Sequence, residues 1–142
     1  MGYVATANIQ LALDTQLQTV AGLPTFYQEN QAATSQNINA FCRSTLAAAK
    51  STIIGSGINP VVQQTGLYQV DLFYPVGYGY SAARNMADAV IAAFPPGFIL
   101  LSDGVTQLTI LTAWSQGGVA TRNDSAFWQI PIRIEWIVRT SV

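Results

Sequence analysis

Between a strand-like and a helix-like segment lies Gly77-Tyr78-Gly79-Tyr80-Ser81, the stretch whose residue types come nearest to a chemical loop. Backbone N–H groups at a helix N-terminus can face an anion, and glycines let the chain approach a phosphate closely. A Walker loop ends in Gly-Lys-Ser/Thr and a dinucleotide loop has a third glycine; neither is present. The residues fit a sharp turn instead, with the glycines making the bend, Ser81 capping the following helix, and Tyr78 and Tyr80 supplying contact surface. Two tyrosines on a rigid turn resemble interface anchors more than catalysts.

The other reactive side chains are dispersed. Asp14, Glu29, Asp71, Asp88, Asp103, Asp124 and Glu135 form no D-x-D or E-x-x-E cluster that would hold a metal or act as an acid/base pair. Asp71 and Glu135 can meet Arg43 and Arg133 across a sheet as ordinary ion pairs. Histidine is absent, which removes the commonest general base and metal ligand. Cys42 is the single cysteine, so it has neither a disulfide partner nor a histidine to activate it, and it reads as a small buried hydrophobe. Of Trp114, Trp128 and Trp136, the last two alternate with aliphatics, which favours core packing over stacking on a sugar or base. No catalytic constellation, cofactor or metal site emerges, and a non-enzymatic role is expected.

The elements that must position these residues centre on Leu67 to Phe94. Tyr68, Val70, Leu72 and Tyr74 alternate with Gln69, Asp71 and Phe73, a strand pattern. Past the Pro/Gly/Tyr hinge, Ala83, Met86, Ala87, Val90, Ile91 and Phe94 recur at helical spacing and make a stripe that can lie on that sheet. Upstream, Ile9, Leu13, Leu17 and Val20 predict an amphipathic helix over Ala7 to Val20, with Thr6 as N-cap and Gly22 as stop. Thr25 to Glu29 reads as a weak strand and Gln31 to Asn37 as a surface loop. Asn39 to Leu46 is expected to pair antiparallel with Leu67 to Tyr74. Ala47 to Gln64 mixes helix formers, β-branched residues and Gly55-Ser56-Gly57, and reads as a long excursion, with or without extended arms, whose job is partner contact.

After the helix, Pro95-Pro96-Gly97 turns the chain and the remainder is β. Phe98 to Leu101 is a short strand, Ser102-Asp103-Gly104 a turn, and Val105 to Trp114 a strand with Leu108, Ile110 and Trp114 on one face. Ser115 to Ser125 is a loop; its Asn123-Asp124-Ser125 matches a glycosylation sequon, which carries little weight without a secretory signal. In the last strand, Trp128, Ile130, Ile132, Ile134, Trp136 and Val138 alternate with mostly polar residues. Phe127 to Val138 would extend roughly 40 Å, so it bends or projects. Pro131 cannot donate to a ladder and predicts an edge position or bulge, and an exposed edge invites subunit addition. The expected fold is α+β: one domain over 1–142, a mixed or antiparallel sheet, the N-terminal and central helices on one face, and extended loops or hairpins.

Composition points to assembly. The 142 residues include only 9% charged against 50% hydrophobic residues, with a net charge of −1. Typical soluble domains carry about 25% charged residues, and a near-neutral surface resists association weakly. No basic run exists to neutralise phosphates, so sequence-specific nucleic-acid binding is not expected. MGYVAT formally fits a myristoylation pattern, but the bulky Tyr3 counts against it, and no signal-peptide or bilayer-spanning pattern is seen, so a soluble protein is expected.

With these residues laid out, most of the chain resembles a family of small tailed-phage proteins, the tail terminators or tail completion proteins of the lambda minor-tail-protein type. The likeness rests on the N-terminal helix, Leu23-Pro24, the aromatic-x-x-Asn of Tyr27 to Asn30, Gly66 to Pro75 (GLYQVDLFYP), the Gly-rich turn, Ala87-Asp88, Phe94, and the WQIPIRIEW strand. Residues 39–64 depart most from the family pattern. The resemblance implies a hexameric ring in the virion neck, assembled in the host cytoplasm. That ring ends tail-tube growth, contacts tube protein and head–tail connector, and lets DNA pass without sequence-specific contacts. A head-closure or tube subunit is the alternative within virion proteins, and a ligand-binding or enzymatic α+β domain the alternative outside them. Tyr78, Tyr80, Lys50 and Arg122 in the loops, with Pro131 on the last strand, are the candidate subunit or partner contacts.

Overall fold

Alternation along three long strands builds the framework. In the computed structural model, which describes residues 4–27, 40–54, 60–75, 80–102, 106–115, 121–122 and 127–141, helix α1 (Thr6–Leu17) leads to strands β1 (Thr25–Tyr27), β2 (Phe41–Ile54) and β3 (Val61–Pro75). Helix α2 (Tyr80–Ala92) precedes β4 (Ile99–Leu101), β5 (Gln107–Ser115), β6 (Thr121–Arg122) and β7 (Phe127–Ser141). The seven strands form one sheet in the order β1-β2-β3-β7-β5-β4, with β6 beside β7. Among the described residues only β1 and β2 pair in parallel. The fold is a mixed sheet with two helices, α+β as expected.

Tyr68, Val70 and Leu72 of β3 and Ile132, Ile134 and Trp136 of β7 are fully buried. They share one core with Ile9, Leu13 and Leu17 of α1 and with Ala83, Ala87, Val90 and Phe94 from α2 and its end. α1 contacts both β2 and β4, which lie near opposite ends of the strand order, so the sheet curls around this helix.

α1 is shorter than its periodicity predicts. Ala5, with extended φ −60° and ψ 136°, is the N-cap, and Thr6 is already helical, so Thr6 does not cap. At the other end the Thr19 hydroxyl donates to the Gln16 carbonyl at 2.6 Å and the Val20 N–H bonds Leu17 rather than continuing the ladder. Side-chain competition of this kind ends helices. Gly22 closes the following turn at φ +76° instead of directly abutting the helix.

The expected β2–β3 pairing is present, from Phe41 opposite Phe73 to Leu46 opposite Tyr68. The excursion over Ala47 to Gln64 takes its extended-arm form in the described residues. After a register shift between Leu46 and Ala48 the hairpin continues to Ile54 opposite Val61. The reason is tertiary: β7 runs on to Ser141 and pairs with β3 down to Val61, which gives the low-propensity Ala/Ser/Thr stretch a template.

β7 is not an edge strand. β3 flanks it along its whole length, and β5 and β6 flank its other side. Pro131 faces Asp71 on the β3 side. On the opposite side it falls between the last β5 pair, Ser115 with Ile132, and the first β6 pair, Thr121 with Gln129. Among the described residues nothing pairs with Pro131 on that side, a position where a missing N–H is tolerated. The register shift between Ile110 and Thr112 also moves Trp114: Leu108 and Ile110 are buried as expected, but Trp114 stands opposite Arg133 rather than a core residue. One extra residue flips every later side chain to the other face.

α2 begins at Tyr80, so Ser81 is inside its first turn and does not cap it. Gly97, at φ +84°, sends its N–H to the Ile110 carbonyl at 2.7 Å and starts the β4–β5 hairpin. The expected 115–125 loop contains β6. The Gln31 to Asn37 loop, the Gly55-Ser56-Gly57 break, the Asp103-Gly104 turn and the sequon lie outside the described residues.

Candidate assembly surface

The candidate contacts separate into two groups. Tyr80 opens α2, a few residues past Pro75, and Pro75 faces Phe127; Arg122 faces Trp128, and Pro131 is three residues further along the same strand. Tyr80, Arg122 and Pro131 therefore belong to one end of the sheet. Tyr78 and the side chains of Tyr80 and Arg122 lie outside the described residues. Lys50 is elsewhere: it is exposed on β2 opposite Thr65, ten residues along β3 from Pro75, or roughly 33 Å.

Lys50 rides on an arm made by residues 49–54 and 61–66, about 20 Å long. Its middle is held by Gln64, which is 1% exposed. The Val4 N–H donates to Gln64 Oε1 at 2.8 Å and Gln64 Nε2 donates to the Val4 carbonyl at 2.9 Å. The amide thus imitates a strand partner for the segment before α1. On the outer strand Ala49, Lys50, Ser51, Thr52 and Ile53 are all exposed, with Ile53 at 66%.

Across the sheet, α1 and β4 enclose an open cleft of about 420 Å³ lined by Asn8, Leu11, Thr15, Gln16 and Leu101 among others. Leu11, Ile99, Leu101 and Leu111 are exposed large hydrophobics along this edge. Sequence reasoning missed this surface, because Ile99 and Leu101 look like ordinary strand residues until the strand order makes β4 terminal. Leu111 is the residue set aside by the β5 register shift.

The remaining polar groups are arranged structurally. Arg43 stands opposite Asp71, as an ion pair would require, yet its guanidinium lies 6.0 Å from the centroid of Phe73, which stacks on Phe41 at 4.6 Å. Asp71 accepts from Gln69 Nε2 at 3.0 Å and Gln129 Nε2 at 3.4 Å. Beneath α1, the Tyr68 hydroxyl donates to Asp14 Oδ1, and both residues are buried. Burial, and then the nearby Asp14 charge, push the Cys42 thiol up to about 12. A thiol so placed is nearly all protonated at neutral pH, and its Sγ lies 3.7 Å from the Pro24 carbonyl. Among the described residues no group of three or more Cys, Asp or Glu is placed to hold a metal, and no helix is long and apolar enough to cross a membrane.

Comparison with known proteins places this geometry. No curated protein sequence matches the chain. One solved structure superposes with a TM-score of 0.68 over 96% of each chain at 19% identity. A chain from the virion of a native gene transfer agent particle superposes at 0.62, covering 97% of this chain and 99% of its own at 13% identity. At such identities the likeness is one of fold. The family model for phage tail terminator proteins matches residues 8–136, and the chain belongs to that family.

Proposed function

We propose that the protein closes the tail tube as a ring, hexameric as the sequence resemblance implies, ending tube polymerisation and presenting the joining surface for the head connector. The family match over residues 8–136 carries this reading. The low charge, the apolar α1–β4 edge and the exposed outer strand of the arm support it, since each suits a subunit whose surfaces are covered in an assembly. The work is mechanical rather than enzymatic. The protein resides in the virion neck after assembly in the host cytoplasm, touches tube and connector proteins, and lets DNA pass without reading it. Both helices are taken to lie on one face of the sheet, because their buried residues share one core with alternate residues of β3 and β7.

Deletion of the gene tests the role: overlong tails without heads are expected, whereas absence of all tails would identify a tube subunit instead. Tyr78 and Tyr80 at the strand–helix hinge are proposed docking contacts. Replacing both with serine is expected to lower phage yield, and an unchanged yield removes them from the interface.

A further inference from the structure

Exposed large hydrophobics among the described residues fall into two sets: Ile53 on the arm, and Leu11, Ile99, Leu101 and Leu111 along the α1–β4–β5 edge. Ile53 lies on β2 near one end of the sheet path, and Ile99 and Leu101 lie on β4 at the other end, with Leu111 on the adjoining β5 and Leu11 on α1. They also lie at one level. Ser51 pairs with Gln64, Gln64 with Val138, Val138 with Leu108, and Leu108 with Leu100. The neighbouring rung runs from Lys50 through Thr65, Ile137 and Thr109 to Ile99. A single row of paired residues therefore connects the arm to the apolar edge without displacement along the strands.

Among the described residues both borders keep unpaired backbone. β1 covers β2 only at residues 41–43, and among the described residues no strand pairs the outer side of β2 from residue 44 to 54. β4 has β5 on one side only. Folded proteins usually protect such edges with charge, proline or a covering element. Lys50 is the single charge on residues 44–54 of β2, with no proline there, and β4 has neither.

Resting on the ring reading above, we infer that the β2 edge of the arm in one copy docks on β4 and the Leu11–Leu101 cleft of the next copy. Two different patches that fit each other make a head-to-tail contact, which closes into a ring when successive copies are related by rotation alone. With the strands running along the ring axis, matching levels on the two borders leave no translation between copies. Strand directions fix the pairing: every step from β2 through β3, β7 and β5 to β4 is antiparallel, so β4 of one copy runs parallel to β2 of the next. The contact places Ile53, which by register shares the Gln64 face of the sheet, beside Leu11 of the cleft, and supplies partners to the two backbone edges left open among the described residues.

The test uses two full-length variants, Ile53→Asp on the arm and Leu101→Asp on the edge, at positions 66% and 54% exposed, so the monomer fold should persist and circular dichroism checks it. Native mass spectrometry is run on the wild type, on each variant and on their equal mixture, alone and with purified tail tubes. The wild type is expected as a ring and each variant as a monomer. The mixture is expected to give two-chain species, because one intact arm meets one intact edge. Variants that assemble like the wild type, or a mixture that stays monomeric, overturn this docking while leaving the ring intact. A wild type that remains monomeric even with tubes overturns the ring reading itself and the docking with it.

Discussion

Tyr68 on β3 donates its phenolic hydrogen bond to Asp14 on α1, across 54 residues of sequence, and both side chains are buried. This bond ties the first helix to the middle of the sheet at a point with little access for water. Replacing Tyr68 with phenylalanine keeps the ring but withdraws a donor from a buried carboxylate, which costs about 1–3 kcal/mol. Urea unfolding should show the midpoint falling with an unchanged slope. A double-mutant cycle with Asp14→Asn should return a coupling energy clearly different from zero, and strict additivity would show that the pair is not energetically linked.

Alkaline pH should destabilise the fold. Burial raises Cys42 from 9.0 to about 12, and burial followed by the Asp14 charge raises Tyr68 above its ordinary value of 10.0. Both groups ionise in the unfolded chain before they ionise in the folded one. Their contribution is therefore complete below pH 9 and declines from there upward, at most about 1.4 kcal/mol per pH unit for each group. Thermal melts between pH 8 and 11 should show the decline, and Cys42→Ala should flatten its beginning, between pH 9 and 10.

Gln64 is a buried polar side chain whose amide completes the backbone of Val4. Leucine in its place would fill a similar volume but leave the Val4 N–H and carbonyl without those partners, at an expected cost of about 2 kcal/mol. The diagnostic reading is local. Amide exchange at Val4 should accelerate far more than at Val70 or Ile132; equal acceleration would indicate global loosening instead.

Gly97 and Gly22 test backbone strain separately from packing. Both have positive φ, +84° and +76°, yet an added Cβ would meet nothing within 4 Å at Gly97 and only the Met86 Cε, at 3.6 Å, at Gly22. Alanine at either site should therefore cost only the left-handed penalty, about 1–2 kcal/mol. Similar melting-temperature losses for the two variants are expected, and a much larger loss at Gly22 would mean that Met86 cannot yield.

The sequence by itself determined the parts whose physics is local. Strand periodicity identified the core residues of β3 and β7, such as Tyr68, Val70, Ile132 and Trp136, because a two-residue period needs no knowledge of the partner strand. The spacing of Ala83, Ala87, Val90 and Phe94 identified α2 in the same way. It also excluded a histidine-based site outright. Tertiary structure decided what depends on neighbours. Pro131 looked like a mark of an edge or a bulge, but it sits in a central strand, where among the described residues nothing pairs with it on the β5–β6 side. Trp114 left the core because one inserted residue at Leu111 reversed the alternation. Residues 47–54 left open whether their excursion carried extended arms, because their composition favours no element, and they formed an arm because β7 extended far enough to order β3 beside them. The apolar edge around Leu11 and Leu101 was invisible for the same reason: exposure is a property of strand order and of the position of α1, and neither is written in the spacing of any one segment.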